Sequence, residues 1–329
     1  MKTILIAASL VALCYGHVIP EVPKTDGESR YVWMPDDEGK QVLVDLEEPV
    51  DEEVLNTRNG ANNQYWLFTR WNPSVHNIIT HGNANSIWAS NYNGARPLVV
   101  IVHGWTNNGN SPMNHQIRDA FLAVQDCNVI VVDWSGLASS NYLTAAAGVP
   151  NVGQHLGNFV TWLINTAGGN WNQVHFVGFS LGAHAVGNAG RQTGARPSRI
   201  TGLDPAGYRW HTNALRLSPN DGQYVEAIHT DGNVLGIMNP SGNADFYPNG
   251  GKHPQPGCWT QGTSCSHGRA TELFAATVRH NHLIGRQCPN IWEAELGTCN
   301  GASLHMGNGI VNKRGNGLYA LRTLDTTPF

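Results

Sequence analysis

Long apolar runs are scarce in this chain. The one near the start, Ile4 to Leu13, follows a single cation, Lys2, and gives way to small residues ending at Gly16. It is too short to cross a hydrocarbon core of about 30 Å, which excludes an anchor there and fits a signal peptide cut before His17. No later segment stays apolar long enough to span. Acceptors for N-linked sugar are also missing, because Asn72-Pro73-Ser74 and Asn239-Pro240-Ser241 both carry the blocking proline. There is no basic stripe, internal repeat or low-complexity tract, so nucleic-acid binding and solenoid architectures are set aside. Cysteine is sparse: six residues, of which Cys14 leaves with the signal. In an oxidising compartment the late four can pair locally, Cys258 with Cys265 and Cys288 with Cys299, although other connectivities are open. Cys127, just ahead of an apolar strand, is then left over as a buried thiol.

Formal charge is -4, unevenly spread. Residues 21–53 hold twelve of the 24 carboxylates against Lys24, Arg30 and Lys40, while sixteen cations face twelve anions after residue 53. The acidic stretch has Pro20, Pro23, Pro35 and Pro49 and little periodicity, so it reads as a poorly ordered leader or propeptide, or as a solvated arm. The domain reading is residues 1–16 as signal peptide, 17–60 as acidic N-terminal segment and 61–329 as one large body. A secreted, extracellular protein is expected.

From Tyr65 onward strand-like and helix-like segments alternate, the mark of helices on both faces of a mostly parallel sheet. Strands are expected at Pro97 to Val102, Val129 to Asp133, Val174 to Val177, Arg199 to Leu203 and Tyr224 to His229. Helices are expected at Pro112 to Val124, Asn151 to Ala167, Leu181 to Gly190 and Ala270 to Val278. Catalytic groups in such sheets gather at the carboxyl ends of strands. His103-Gly104-Trp105, Asp133-Trp134, Gly178-Phe179-Ser180-Leu181-Gly182 and Asp204-Pro205-Ala206-Gly207 all fall there.

With 37 glycines in the chain, a bare G-x-S-x-G is weak. The setting makes it strong: an apolar strand enters, a small-residue helix leaves, and Ser180 sits at the bend, as in a nucleophile elbow. A serine hydroxyl needs a base, and the base needs an acid to hold its tautomer. Asp204, at a strand end before a proline, leads for the acid, with Asp133 as the alternative. The histidines that follow are His211, His229, His253, His267, His280, His282 and His305; His267, beside Cys265, is favoured without being decided. His184 rides the helix after Ser180 and is set aside. His280-Asn281-His282 lacks further ligands at zinc spacing. The amides of Leu181, after the nucleophile, and of Trp105, after an early strand, suit an oxyanion hole.

The motifs His103-Gly104-Trp105, Gly178 to His184, Gly202 to Ala206, Ile228 to Gly232, Asp245 to Gly251 and Cys265-Ser266-His267 together resemble the animal pancreatic-lipase family, with its secreted insect members nearest in impression. The resemblance runs from about Tyr65 onward. It implies an α/β-hydrolase fold, Ser180, Asp204 and His267 as catalytic triad, and Trp105 and Leu181 as oxyanion hole. It also implies a carboxylic ester hydrolase acting on glycerolipids. Insect yolk proteins share the fold as storage or lipid-carrying proteins but lack the serine, which this chain has.

Departures from the family sharpen the expectation. Only Trp259 to Ser264 lie between the cysteines that flank a long lid in larger members, and the stretch Asn233 to Ala244, matching a second covering loop, is short. In the family that combination goes with phospholipase A1 or galactolipid activity rather than interface-activated triacylglycerol lipolysis, so an open site is expected. Asn213 and Ser218 stand where a calcium loop would carry carboxylates, so no metal and no cofactor are expected. No C-terminal β-sandwich domain is expected, so no colipase partner is expected, nor nucleic acid. The expected partner is lipid substrate at a membrane or droplet surface, met by a monomer. Trp105 and Trp259 are candidates for lipid contact.

Overall fold

The computed structural model describes residues 30–36 and 39–329, so the signal peptide and much of the acidic segment lie outside the described residues. In chain order the elements are β1 (Tyr31–Pro35), β2 (Gln41–Asp45), α1 (Glu52–Thr57), β3 (Gln64–Phe68), β4 (Asn77–Ile79), α2 (Ala84–Trp88), β5 (Leu98–Val102) and α3 (Pro112–Val124). Next come β6 (Asn128–Asp133), α4 (Ser135–Ala138), α5 (Tyr142–Ala167), β7 (Val174–Phe179), α6 (Leu181–Gln192), β8 (Arg199–Leu203), β9 (Val225–Ile228) and β10 (Ala244–Pro248). The chain continues through α7 (Gly262–His280), β11 (Ile284–Cys288), α8 (Ile291–Leu296), β12 (Ser303–His305) and β13 (Gly317–Leu321).

An 11-stranded sheet runs in the order β12-β11-β13-β10-β9-β8-β7-β5-β6-β3-β4. The run from β13 to β6 is parallel, and the outer strands are antiparallel. Helices cover both faces, which is why β5 and β6 are nearly unbroken apolar runs rather than alternating ones. Val100 and Val102 of β5 point to the face packed by Val152, Leu156 and Phe159 of α5 and by Val186 of α6. Val99 and Ile101 point to the other face, against Ile117 and Phe121 of α3 and Phe274 of α7. This is the α/β-hydrolase architecture, and the described residues contain no separate β-sandwich.

Three elements depart from the sequence expectation. Helix α5 begins at Tyr142, not Asn151, and carries Pro150 inside it. A proline there costs about 3 kcal/mol, and burial of Leu143, Ala145 and Val149 in the core offsets it. Helix α7 begins at Gly262, not Ala270, so His267 rides on the helix instead of preceding it. The Cys258–Cys265 disulfide pins that first turn; Cys288–Cys299 is the second bridge, and Cys127 is a buried free thiol pushed up to about 12 by burial. Finally, residues 31–45 of the acidic segment are not unpatterned: β1 and β2 pair antiparallel, with Val32 opposite Val44 and Met34 opposite Val42. The inward side chains Met34 and Val44 are buried in the α5-side core while Trp33 and Leu43 on the other face are exposed, so the surrounding charge hid a period-2 pattern.

Beneath the sheet the Glu226 carboxylate is fully buried between Arg199 and Lys313, the latter at 2.5 Å. Arg199 also donates to the carbonyls of Asn308 at 3.0 Å and Ile310 at 2.9 Å, tying the 307–313 loop to β8 and β9. Removing the one anion from this group leaves two buried cations unpaired. Glu226→Gln should therefore lower unfolding free energy by about 3–5 kcal/mol, read as a drop in the urea midpoint at pH 7.

Candidate active site

The bend after β7 is built by what is absent from its neighbours. A Cβ on Gly178 would lie on the Gly182 carbonyl, and one on Gly182 would lie on the Val102 and His103 carbonyls. Only glycine at both places lets α6 start this close to the ends of β5 and β7. Ser180 between them adopts φ 55°, ψ -120°, a conformation that costs about 1–3 kcal/mol for a residue with a side chain. The surroundings over-determine it: its N–H donates to the Leu203 carbonyl at 3.0 Å and its own carbonyl accepts from Ala183 at 3.1 Å.

Asp204 follows β8 and is fully buried. One carboxylate oxygen accepts from the Thr230 and Asp231 amides at 2.7 and 3.0 Å, and the other accepts from Nδ1–H of His267 at 2.5 Å. That bond fixes the tautomer, leaving His267 Nε2 as the basic nitrogen. The Phe179 ring packs on the imidazole at 4.6 Å between centroids. Ser180 and His267 line one cavity of about 200 Å³ with Trp105, Phe179 and Leu235. Among the described residues no hydrogen bond joins the Ser180 hydroxyl to His267, and such contacts commonly tighten only when substrate arrives. Leu181 opens α6, so its N–H has no intrahelical acceptor. The Trp105 N–H has none among the described residues either.

Other candidates are occupied elsewhere. Asp133 lies 3.5 Å from His103 Nε2 and accepts from the Ser135 amide at 2.9 Å. Burial opposes its ionisation, but the His103 and Ser135 bonds outweigh this and hold the carboxyl down at about 2. His184 donates to the Ala206 carbonyl, accepts from the Leu217 amide and stacks on Trp210; burial lowers it to about 3 and keeps it neutral. His229 bridges the Ile237 carbonyl and Asp245. In the loop expected to lack calcium ligands, Asp221 is taken by Arg191 at 2.8 Å and by Ser218. The Trp105 indole donates to the Ser140 carbonyl, whereas Trp259 is 71% exposed.

One residue of the site carried no role in the sequence reading. Asp231 stands beside the pair: oxygens of Asp204 and Asp231 and a His267 nitrogen lie within 4.8 Å of one another. Burial, then the Asp204 charge, push its carboxyl well above the usual range, so it stays protonated at neutral pH. One of its oxygens accepts from the Leu235 amide and the other has no partner among the described residues. The signal available in sequence was the second acid at a strand end, in Ile228 to Gly232; the hydrogen-bond donors around each carboxyl decided which of the two carries charge.

The sequence model of the family described as Lipase matches residues 36–316. The chain is 34% identical over 261 residues to pancreatic lipase-related protein 2 of Cavia porcellus, covering 76% of this chain and 58% of that one. It is 37% identical over 238 residues to hepatic triacylglycerol lipase of Rattus norvegicus, covering 63% and 48%. It is 34% identical over 245 residues to lipoprotein lipase of Homo sapiens, covering 66% and 51%. The chain thus spans about half the length of the curated relatives it matches.

The second carboxyl generates a pH prediction. Folded Asp231 keeps a proton that the unfolded chain releases near pH 4 (about 3.9), so folding loses stability as pH rises from there toward its raised folded value. Asp231→Asn removes that dependence. Urea melts should show parent and variant about equal at pH 4, with the variant gaining up to about 1.4 kcal/mol per pH unit above it.

Proposed function

The chain belongs to the lipase family, and from that premise we propose that it is a secreted carboxylic ester hydrolase of glycerolipids, of phospholipase A1 type, working through an acyl-serine intermediate. The observation that carries the reading is the convergence of Ser180 and the Asp204-held His267 on one cavity, beside the idle amides of Trp105 and Leu181. His267 Nε2 takes the proton as Ser180 Oγ attacks the ester carbonyl, and the imidazolium is stabilised by Asp204. The oxyanion is met by the Leu181 and Trp105 N–H groups, each worth roughly 3 kcal/mol of barrier. His267 returns the proton to the leaving alcohol, then activates the water that frees the fatty acid. Asp231, neutral, adds no second negative charge that would over-stabilise the imidazolium.

Secretion is supported by the two disulfides, which belong to oxidising compartments. No helix among the described residues is long and apolar enough to cross a membrane. Phospholipid is favoured because the covering segments are short: Trp259 to Ser264 is little more than a turn before α7 takes over at Gly262. A diacyl substrate at a membrane surface then reaches Ser180 without a long flap being moved aside, and Trp259 is free to enter the headgroup region. No metal and no colipase take part in this reading.

Two measurements test it. Purified protein should release fatty acid from phosphatidylcholine vesicles faster than from triolein emulsion with calcium chelated, and preference for triolein would overturn the phospholipase assignment. Asp204→Asn should lower kcat about 10⁴-fold and Ser180→Ala about 10⁶-fold. Equal rates for parent and Ser180→Ala would instead favour a storage or lipid-carrying protein.

A further inference from the structure

The hairpin formed by β1 and β2 belongs to none of the catalytic motifs, yet it borders the reaction cavity. Met34 and Pro35, at the end of β1, line the same cavity as Ser180 and His267. Every other wall comes from the sheet, its helices or the loops that carry the catalytic groups. Trp105 follows β5, Phe179 ends β7, Met113 lies on α3 and Tyr142 on α5. Those positions are fixed by the same packing that places the triad. The hairpin pairs with no strand of the main sheet and is held by buried Met34 and Val44, with Arg30 closing its base on Asp45 at 2.6 Å and Glu47 at 3.2 Å.

Met34 and Pro35 give the cavity an apolar, adaptable edge, beside Asp36 and Gly39 of the same hairpin. Met34 is 4% exposed, its thioether side chain turned inward with Val44 while Trp33 and Leu43 on the other face are nearly half exposed. A flexible, unbranched side chain in a wall of aromatic rings suits an alkyl chain better than a headgroup. The short neighbouring segments leave the mouth to the hairpin.

We propose that Met34, backed by Pro35, is the stop that sets acyl-chain length in this site. The inference rests on the ester-hydrolase reading and goes beyond it by naming the residue that chooses among substrates. Shortening the side chain should admit longer chains, and enlarging it should exclude them, with the triad untouched.

The test uses p-nitrophenyl esters of graded chain length, below their aggregation limit, on the full chain and on Met34→Ala and Met34→Trp. Met34→Ala should move the kcat/KM optimum up by about two carbons, a gain of roughly tenfold for the longer ester. The gain should fall in KM with kcat nearly constant, and Met34→Trp should shift the optimum the other way. Length profiles identical in all three proteins, or a loss confined to long chains in Met34→Ala, would overturn the proposal. A parallel titration of free fatty acids of the same lengths into Ser180→Ala, with and without each Met34 change, reads the stop without turnover. If the parent hydrolyses nothing, the hydrolase reading fails, and the titration alone decides whether Met34 limits the chain.

Discussion

The constraint on which the site rests is the seating of α6 against the ends of β5 and β7. It holds Ser180 at positive φ, and three glycines make it possible: Gly178 and Gly182 around the bend, and Gly104, where a Cβ would come within 3.0 Å of the Ser180 Cβ. The contacts at Gly178 and Gly182 are backbone to backbone, so the first turn of α6 cannot slide without breaking them. The Leu181 amide is therefore placed by the same packing that lifts the serine, and the Trp105 amide follows Gly104 from the other side. The proposed nucleophile and oxyanion donors share one rigid seat, which is what preorganised stabilisation of a developing charge requires.

Charge in the interior is arranged around that seat. Strand β8 has Arg199 at its start and Asp204 just past its end, roughly 17 Å apart at about 3.3 Å per residue. The cation end is neutralised by Glu226, with Lys313 sharing that carboxylate. At the anion end, two carboxyls crowd one imidazole, and two charges at that spacing in a buried site cannot both persist. Three N–H donors converge on Asp204, whereas one reaches Asp231, so the negative charge settles on Asp204. The acid of the pair is chosen by its donors rather than by its residue type.

That choice explains why the site was only partly legible in the sequence. Strands β5 and β6 were readable because burial on both faces makes them nearly continuous apolar runs, and α3 was readable because Pro112 marks its first turn. The elbow was readable because its glycines are forced by close approach. His267 was not separable by spacing from its neighbours, since a disulfide and a helix that starts eight residues early bring it to Asp204. The start of α5 was hidden by Pro150, a local penalty overridden by tertiary burial. The hairpin was hidden by its own acidity, because its pairing rests on few inward side chains among many charges.

The hairpin differs from the rest of the fold in how little holds it. Burying Met34 and Val44 contributes about 1.5–3 kcal/mol each, whereas ordering each residue of the ribbon costs about 1–2 kcal/mol of backbone entropy. Its own strand pairing cannot close that gap, since an isolated two-stranded ribbon is marginal in water. It persists by packing on α7 and on the core cluster that Met34 and Val44 join, parts of the fold already placed by the sheet. A wall of this kind can change shape without disturbing the elbow, because no catalytic group is mounted on it. The fold thus separates two demands: chemistry is fixed by backbone contacts at the strand ends, and substrate fit is left to a ribbon packed across the mouth by a few side chains.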